Sequence, residues 1–377
     1  MNYADLPDLT AMLTHFRAVR HPEEVFGDLP GAGKAMLDEA RRRYVRLAFV
    51  VHPDTRFGAD DNADANEATA LLNYWWERAR AKIAAGLYGR MGEAVLVQTR
   101  LREYTVTDLL ANGDKSSLYY CAFTLDGHAR RGIFKIARDP ADNDLLRNEA
   151  DTLRHLMDAD TDGTFAGYFP RLTESFGYHD GGVMRQALVL RYVREIALPT
   201  ELYSLRDVRA AYPDGVDPHD MAWMWRRTLT AIGWAHRQNI IHGALLPTHI
   251  LIEPRLHAVI LIDWAYAVRI DKGEPLSAIS AAYEAWYPSE VFAKQPPLTG
   301  HDIYMAARCM VDLMGGDPIR KTFPDTVPDA LKRYFLWCMT EGARMRPQYA
   351  WDLLKEFDSL IERLYGERKF RQFKMPE

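Results

Sequence analysis

Hydrophobic periodicity changes along this sequence, and those changes constrain its fold more than any other feature. Between residues 35 and 51, Leu37, Ala40, Tyr44, Leu47, Ala48 and Val51 recur at three- and four-residue spacing, as in a helix with one apolar stripe. Arg42 and Arg46 fall on its other face. Proline stops that helix at His52-Pro53-Asp54, and a stretch rich in Asp, Gly and Asn follows. Ala68, Leu72, Trp75, Ala79 and Ile83 make a second stripe, so residues 65–84 can pair antiparallel with the first helix in an all-α hairpin. Around 95–136 the period becomes that of strands, in Ala94-Val95-Leu96-Val97, Leu118–Phe123 and Gly132–Ile136, separated by polar turns. Helical spacing returns at 144–157, Ala187–Val193 reads as a buried strand, and beyond about residue 220 the pattern is mostly helical. The expected class is α+β, with a helical segment 1–90, a strand-rich segment 91–195 and a helical segment 196–377 that ends in a basic tail.

A chain of 377 residues exceeds one typical core at ~100–200 residues per domain, and 48% hydrophobic residues can fill more than one. The formal charge of −5 is small for this length and argues against a surface built to hold nucleic acid or acidic membrane. Cys121, Cys309 and Cys338 are widely spaced and form no C-x-x-C pair, which points away from a disulfide framework or zinc ribbon and towards a reducing, cytoplasmic setting. The opening MNYADLPDLT has no basic region followed by an apolar run, as a signal peptide would. The most apolar stretch, Ala258–Ile262, falls far short of the ~20 residues that span a bilayer, so no membrane segment is expected.

The basic helix that ends directly in His52-Pro53-Asp54 resembles the J-domain family, whose diagnostic tripeptide lies between its second and third helices. The likeness covers residues 20–84: Val25-Phe26-Gly27 stands where that family has its short first helix and glycine, Tyr44 and Leu47 match its second-helix core, and Leu72-Asn73 its third. Neither the tripeptide nor a basic helix face is specific alone; their junction carries the resemblance. It implies a partner, the seventy-kilodalton heat-shock chaperone, bound through Arg42, Arg46, His52, Pro53 and Asp54. The physics agrees, since arginines on one face steer an acidic partner and a rigid loop fixes a carboxylate. Phe49 and Val50 stand where the family often carries further basic residues, which puts affinity or partner choice in question.

From about 103 to 360 the order of landmarks resembles the protein-kinase-like fold, which implies two lobes. Lys135 in Gly132-Ile133-Phe134-Lys135 matches the strand lysine that holds phosphates, and Glu149 its helical ion-pair partner. Arg191, Tyr192 and Val193 fall in the segment whose backbone would meet an adenine. Ile241–Leu251 resembles the catalytic loop, and Leu261-Ile262-Asp263-Trp264-Ala265 the metal-binding triplet. Glu290, Asp302 and Arg346 match residues that brace the helical lobe. The His242-Gly243 opening and the Asp263-Trp264 pair look closer to small-molecule and lipid-type kinase relatives than to serine/threonine kinases.

The departures decide what the resemblance implies. Ala244 stands where the family places its proton-accepting aspartate and offers no base. His249 stands where an asparagine would bind the second magnesium; imidazole suits that hard cation poorly and manganese or zinc better. Residues 111–118 keep one glycine of three, Gly113, and add the negative charge of Asp114. Gly243 replaces the arginine that would pair a phosphorylated segment, which leaves Ser277, Ser280 and Tyr283 without the usual switch partner.

Gly113, Lys135, Glu149, Tyr192, Val193 and Asp263 remain as a nucleotide-holding set, with Asp263 and His249 as metal ligands. The ligand would be ATP or ADP with magnesium or manganese. The same lysine and carboxylates can also pair with no ligand at all. Two functions therefore stay open. One is a co-chaperone whose kinase-like part is a nucleotide- or client-binding module; the other is an atypical phosphotransferase that uses Asp263, His249 and a base supplied by substrate. The tail Glu367–Lys374 interleaves basic and aromatic side chains; the expectation is a frayed, solvated end rather than a nucleic-acid or acidic-partner site.

Overall fold

The computed structural model describes residues 8–19, 21–31, 33–52, 62–84, 88, 95–180, 182–191 and 202–375. Pro53, Asp54, Tyr192 and Val193 lie outside the described residues. The chain divides into two compact units. One runs up to Gln98 and includes Glu103–Leu109; the other comprises Thr99–Arg102 and the chain from Leu110 onward.

Among the described residues, the first unit contains the helices α1 (Leu9–Ala18), α2 (Pro22–Phe26), α3 (Lys34–Val51) and α4 (Asn62–Ala84). Strand β1 (Val95–Gln98) pairs antiparallel with β2 (Glu103–Asn112), whose part in this unit ends at Leu109, with Val97 opposite Tyr104. Helix α1 was not expected, although Asp8 caps its start by accepting from the Ala11 N–H at 2.8 Å. Its Leu9, Met12, Leu13 and Phe16 are buried at helical spacing. Those side chains pack with Phe26, Ala40, Val51, Ala68, Leu72, Trp75 and Ile83 in one core. Helices α3 and α4 run antiparallel: the Tyr44 hydroxyl donates to Asn73 Oδ1 at 2.6 Å, and the Thr69 hydroxyl to the Val51 carbonyl at 3.3 Å, so register falls along one as it rises along the other.

The second unit begins with β3 (Ser116–Leu125) and β4 (His128–Ala137). The turn between them is Asp126-Gly127, both at positive φ (51° and 75°), the backbone that a two-residue hairpin needs to match strand twist. Helix α5 (Asn143–Ala159) follows, then β5 (Arg171–Asp180) and β6 (Val183–Arg191), which give an antiparallel order β3-β4-β6-β5. Lys135 of β4 lies opposite Leu188 of β6. Leu145, Leu146, Ala150, Leu153 and Leu156 bury the apolar face of α5.

The rest of this unit is mainly helical. It contains β7 (Tyr203–Ser204), α6 (Leu205–Ala211), α7 (Pro218–Arg237), β8 (Ile240–Ile241), β9 (Ile250–Glu253), β10 (Ala258–Leu261) and β11 (Val268–Arg269). Then come α8 (Ser289–Phe292), α9 (Gly300–Leu313), α10 (Asp329–Cys338) and α11 (Ala350–Tyr365). Trp225, Trp264, Tyr304, Phe335 and Phe357 are the largest side chains at its centre. All three cysteines are buried and unbonded. Among the described residues, no helix is long and apolar enough to cross a membrane.

The tail corrects the expectation of a frayed end. Phe373 is buried and stacks on Tyr212, with ring centroids 5.5 Å apart, while Phe370 stacks on His257 at 4.5 Å. Arg371 pairs with Asp220 at 3.1 Å. The aromatic residues that suggested a ligand surface instead anchor the chain end to α7 and to the β9–β10 turn.

Candidate functional site

Three elements of the second unit bring the charged residues together. Strand β4 carries Lys135, α5 carries Glu149, and the chain leaving β10 carries Asp263. The Lys135 ammonium donates to Glu149 Oε2 at 2.6 Å and to Asp263 Oδ1 at 2.5 Å. Lys135 is 4% exposed and Glu149 wholly buried, whereas the Asp263 side chain keeps 25% of its surface open. Burial alone would lower the lysine, but Asp263 and Glu149 hold it above its ordinary range. Burial pushes Asp263 upward, yet neighbouring positive charge, the Lys135 ammonium foremost, more than offsets that and brings its carboxyl to about 2.

Asp263 sits in the left-handed backbone region, at φ 64° and ψ 56°, a conformation that costs most residues energy and persists where the surroundings enforce it. The surroundings are specific. The Trp264 indole N–H donates to the Leu261 carbonyl at 2.9 Å, and the Ile262 N–H to the His249 carbonyl at 3.0 Å. Asn148 of α5 donates to the carbonyls of Ala265 and Ala267 at 3.0 and 2.8 Å, so the helix that carries Glu149 also clamps the segment after Asp263. Asn148 carries no signal in the sequence beyond its place beside Glu149.

The loop 242–249 lies under this triad. His249 Nδ1 is 2.8 Å from the Ala244 carbonyl and its Nε2 is 3.2 Å from Asp263 Oδ2. Ala244 is fully buried, so its methyl group faces core and its carbonyl only positions His249. Asp302 of α9 fixes the start of the loop by accepting from the N–H groups of His242 and Gly243 at 2.8 and 3.0 Å, while His236 Nε2 lies 2.9 Å from the same carboxylate. Gly243 is required by shape: at φ 80°, a Cβ there would come within 2.5 Å of the Tyr266 carbonyl. Farther along the chain, Arg346 and Glu290 form a buried two-bond ion pair.

Gly113 lies in the turn between β2 and β3, where its N–H donates to the Ser116 carbonyl at 2.8 Å. The next residue, Asp114, accepts from the Ser280 hydroxyl at 2.6 Å, tying this turn to the 277–290 segment. Asp263 and His249 are the two metal donors brought together; among the described residues no cluster of three or more metal-binding side chains occurs.

In the first unit, Arg42 and Arg46 project from α3 with 65% and 47% of their side chains exposed. Glu39 partly neutralises them, at 2.6 Å from Arg42 and 3.9 Å from Arg46. Val45 and Phe49, on the same face, are 57% and 60% exposed. His52 caps the C-terminus of α3, its N–H donating to the Ala48 carbonyl at 2.8 Å. No model of a known protein family matches this sequence, and comparison with curated proteins finds no match.

Proposed function

We propose that the chain is a co-chaperone-type protein: its helical unit, J-domain-like, engages a seventy-kilodalton heat-shock chaperone, and its second unit is a catalytically degenerate kinase-like module that holds a nucleotide or a client. The observation that carries this reading is the strand lysine bonded at once to a helix glutamate and to the Asp263 carboxylate. Support for a two-lobed arrangement comes from chain order, an antiparallel sheet with α5 followed by the helices from α6 onward. Support for the chaperone half comes from the antiparallel α3–α4 pair and the exposed face of Arg42, Val45, Arg46 and Phe49, in which the apolar residues replace charge.

Phosphoryl transfer is not part of the proposal. A positioned base contributes roughly 10²–10⁴-fold, and buried Ala244 supplies none. Purified protein should transfer radiolabelled phosphate at background level; signal abolished by Asp263→Ala would establish the atypical phosphotransferase instead. Nucleotide at ~100 times its dissociation constant with one divalent cation should add ~2.7 kcal/mol to the thermal stability of the second unit. Lys135→Ala and Asp263→Ala should each reduce that gain. A second reading, the ligand-free scaffold, is favoured by the Asp114–Ser280 contact and by a lysine already satisfied by two carboxylates. Absence of stabilisation by any nucleotide at millimolar level would select it. The full chain should also stimulate the chaperone's ATPase, and Asp54→Asn should remove the effect.

A further inference from the structure

We infer that His249 gives the Asp263 site a preference for manganese over magnesium, through a single cation that nucleotide phosphate oxygens complete. The inference rests on the nucleotide-binding reading and adds the identity of the cation. It begins with the tautomer. The Ala244 carbonyl can only accept, so the His249 Nδ1 that lies 2.8 Å from it carries the hydrogen. In the neutral ring the Nε2 lone pair then faces Asp263 Oδ2 at 3.2 Å. A backbone carbonyl that fixes one imidazole nitrogen is the usual support for a metal-binding one.

The carboxylate is divided in the same sense. Asp263 Oδ1 takes the Lys135 ammonium, which leaves Oδ2 as the oxygen beside His249. Two donors at about 2.1 Å from one cation stand about 3.0 Å apart as neighbours on an octahedron and about 3.4 Å apart on a tetrahedron. The observed 3.2 Å falls between them. Magnesium favours oxygen donors, demands near-ideal octahedral geometry and gives up water reluctantly; manganese also favours oxygen but, as a larger transition-metal ion, accepts an imidazole beside its oxygens more readily than magnesium does. The described residues offer this cation only one carboxylate and one imidazole, so metal alone should bind weakly and metal with nucleotide well.

The same distances would suit a doubly protonated His249 that pairs with Asp263 and takes no metal, and the experiment separates the two. Full-length protein is titrated with ADP in the presence of magnesium or manganese, with melting temperature as the readout. The expected result is half-saturation at least tenfold lower in ADP with manganese, no shift from either metal alone, and reversal of the order in His249→Asn. Electron spin-echo spectroscopy of bound manganese, with ¹⁵N-labelled histidine, should show directly coordinated imidazole in wild type; this also decides the matter if the variant fails to fold. Equal half-saturation with the two metals, or manganese without histidine coupling, would overturn the inference and leave nucleotide binding intact. No shift with any combination would remove the nucleotide reading, and this inference with it.

Discussion

Each unit buries one lysine between two carboxylates and sets a histidine against one of them. In the first, Lys82 of α4 lies 2.8 Å from Glu23 of α2 and 3.2 Å from Asp108 of β2, and His21 lies 2.7 Å from Asp108. In the second, Lys135 lies 2.6 Å from Glu149 and 2.5 Å from Asp263, with His249 at 3.2 Å. The charges are the same and the settings differ. Glu23 and Asp108 are 5% and 10% exposed and belong to a helix and a strand, so their cluster pins three elements together. Asp263 follows a strand end, keeps a quarter of its side chain open and holds a left-handed backbone. Composition therefore does not separate the two clusters; backbone conformation and residual access do.

The largest test removes the lysines. Lys82→Met and Lys135→Met each leave buried carboxylates without a cation, a change that costs about 3–5 kcal/mol. Urea denaturation should show losses of that size, each confined to its own unit. Added ADP and manganese should widen the gap between wild type and Lys135→Met while leaving that for Lys82→Met unchanged. A ligand response at both positions, or at neither, breaks the comparison.

The difference between the clusters also explains what the sequence made legible. The stripes that become α3 and α4, the β3–β4 hairpin and the order Lys135, Glu149, Asp263 could be read because each is a local pattern or a spacing within one long resemblance. The first-unit cluster could not be read that way. Lys82 and Asp108 look like ordinary surface charges, and only the fold places β2 against α2 and α4. Strand β5 went unread because RLTESFGYHD is mostly polar, as an edge strand can be. Helix α1 did show its pattern, in Asp8, Leu9, Met12, Leu13 and Phe16, but too short a run to stand without the core that it joins. The tail departs from its sequence pattern for the opposite reason: its composition is that of a solvated end, and the partners of Phe373 and Arg371, Tyr212 and Asp220, lie far away in sequence.

A smaller effect sharpens the contrast through pH. His242, beneath the second cluster, is fully buried; its Nε2 donates to the Ile262 carbonyl at 3.0 Å, and its Nδ1 accepts from the Ala244 N–H at 3.3 Å, which specifies the neutral ring. Burial lowers it from 6.5 to about 4. The unfolded chain gains this proton as pH falls below 6.5 while the folded chain resists until about 4, so stability is intact above that window and declines through it. The loss should approach about 3 kcal/mol in the second unit. Asp263, held near 2 rather than 3.8, adds a later loss as pH falls through that lower range. Denaturation midpoints at pH 7, 5 and 4 check the first step, and His242→Gln, which keeps a donor and an acceptor but no titration, should flatten it.

The smallest expected change in stability is the most discriminating. Asp108 does not have positive φ, so Asp108→Ala removes an interaction and relieves nothing. It should cost about 1–3 kcal/mol, the usual consequence of deleting one partner from a buried polar group. Asp263→Gly removes a closer contact to lysine, 2.5 Å against 3.2 Å, but Lys135 retains Glu149 and glycine adopts φ 64° without the penalty of about 1 kcal/mol that a side chain meets there. The two contributions oppose each other, so Asp263→Gly should melt within about 1 kcal/mol of wild type. It should nevertheless abolish stabilisation by ADP and metal, since the Oδ2 carboxylate oxygen is gone. Asp263→Asn, which tolerates the same backbone and can still accept from Lys135, serves as the charge-only control. If Asp263→Gly instead destabilised as much as Asp108→Ala and left the ligand response unchanged, the second cluster would be a staple like the first, and its strained aspartate would have no ligand to account for it.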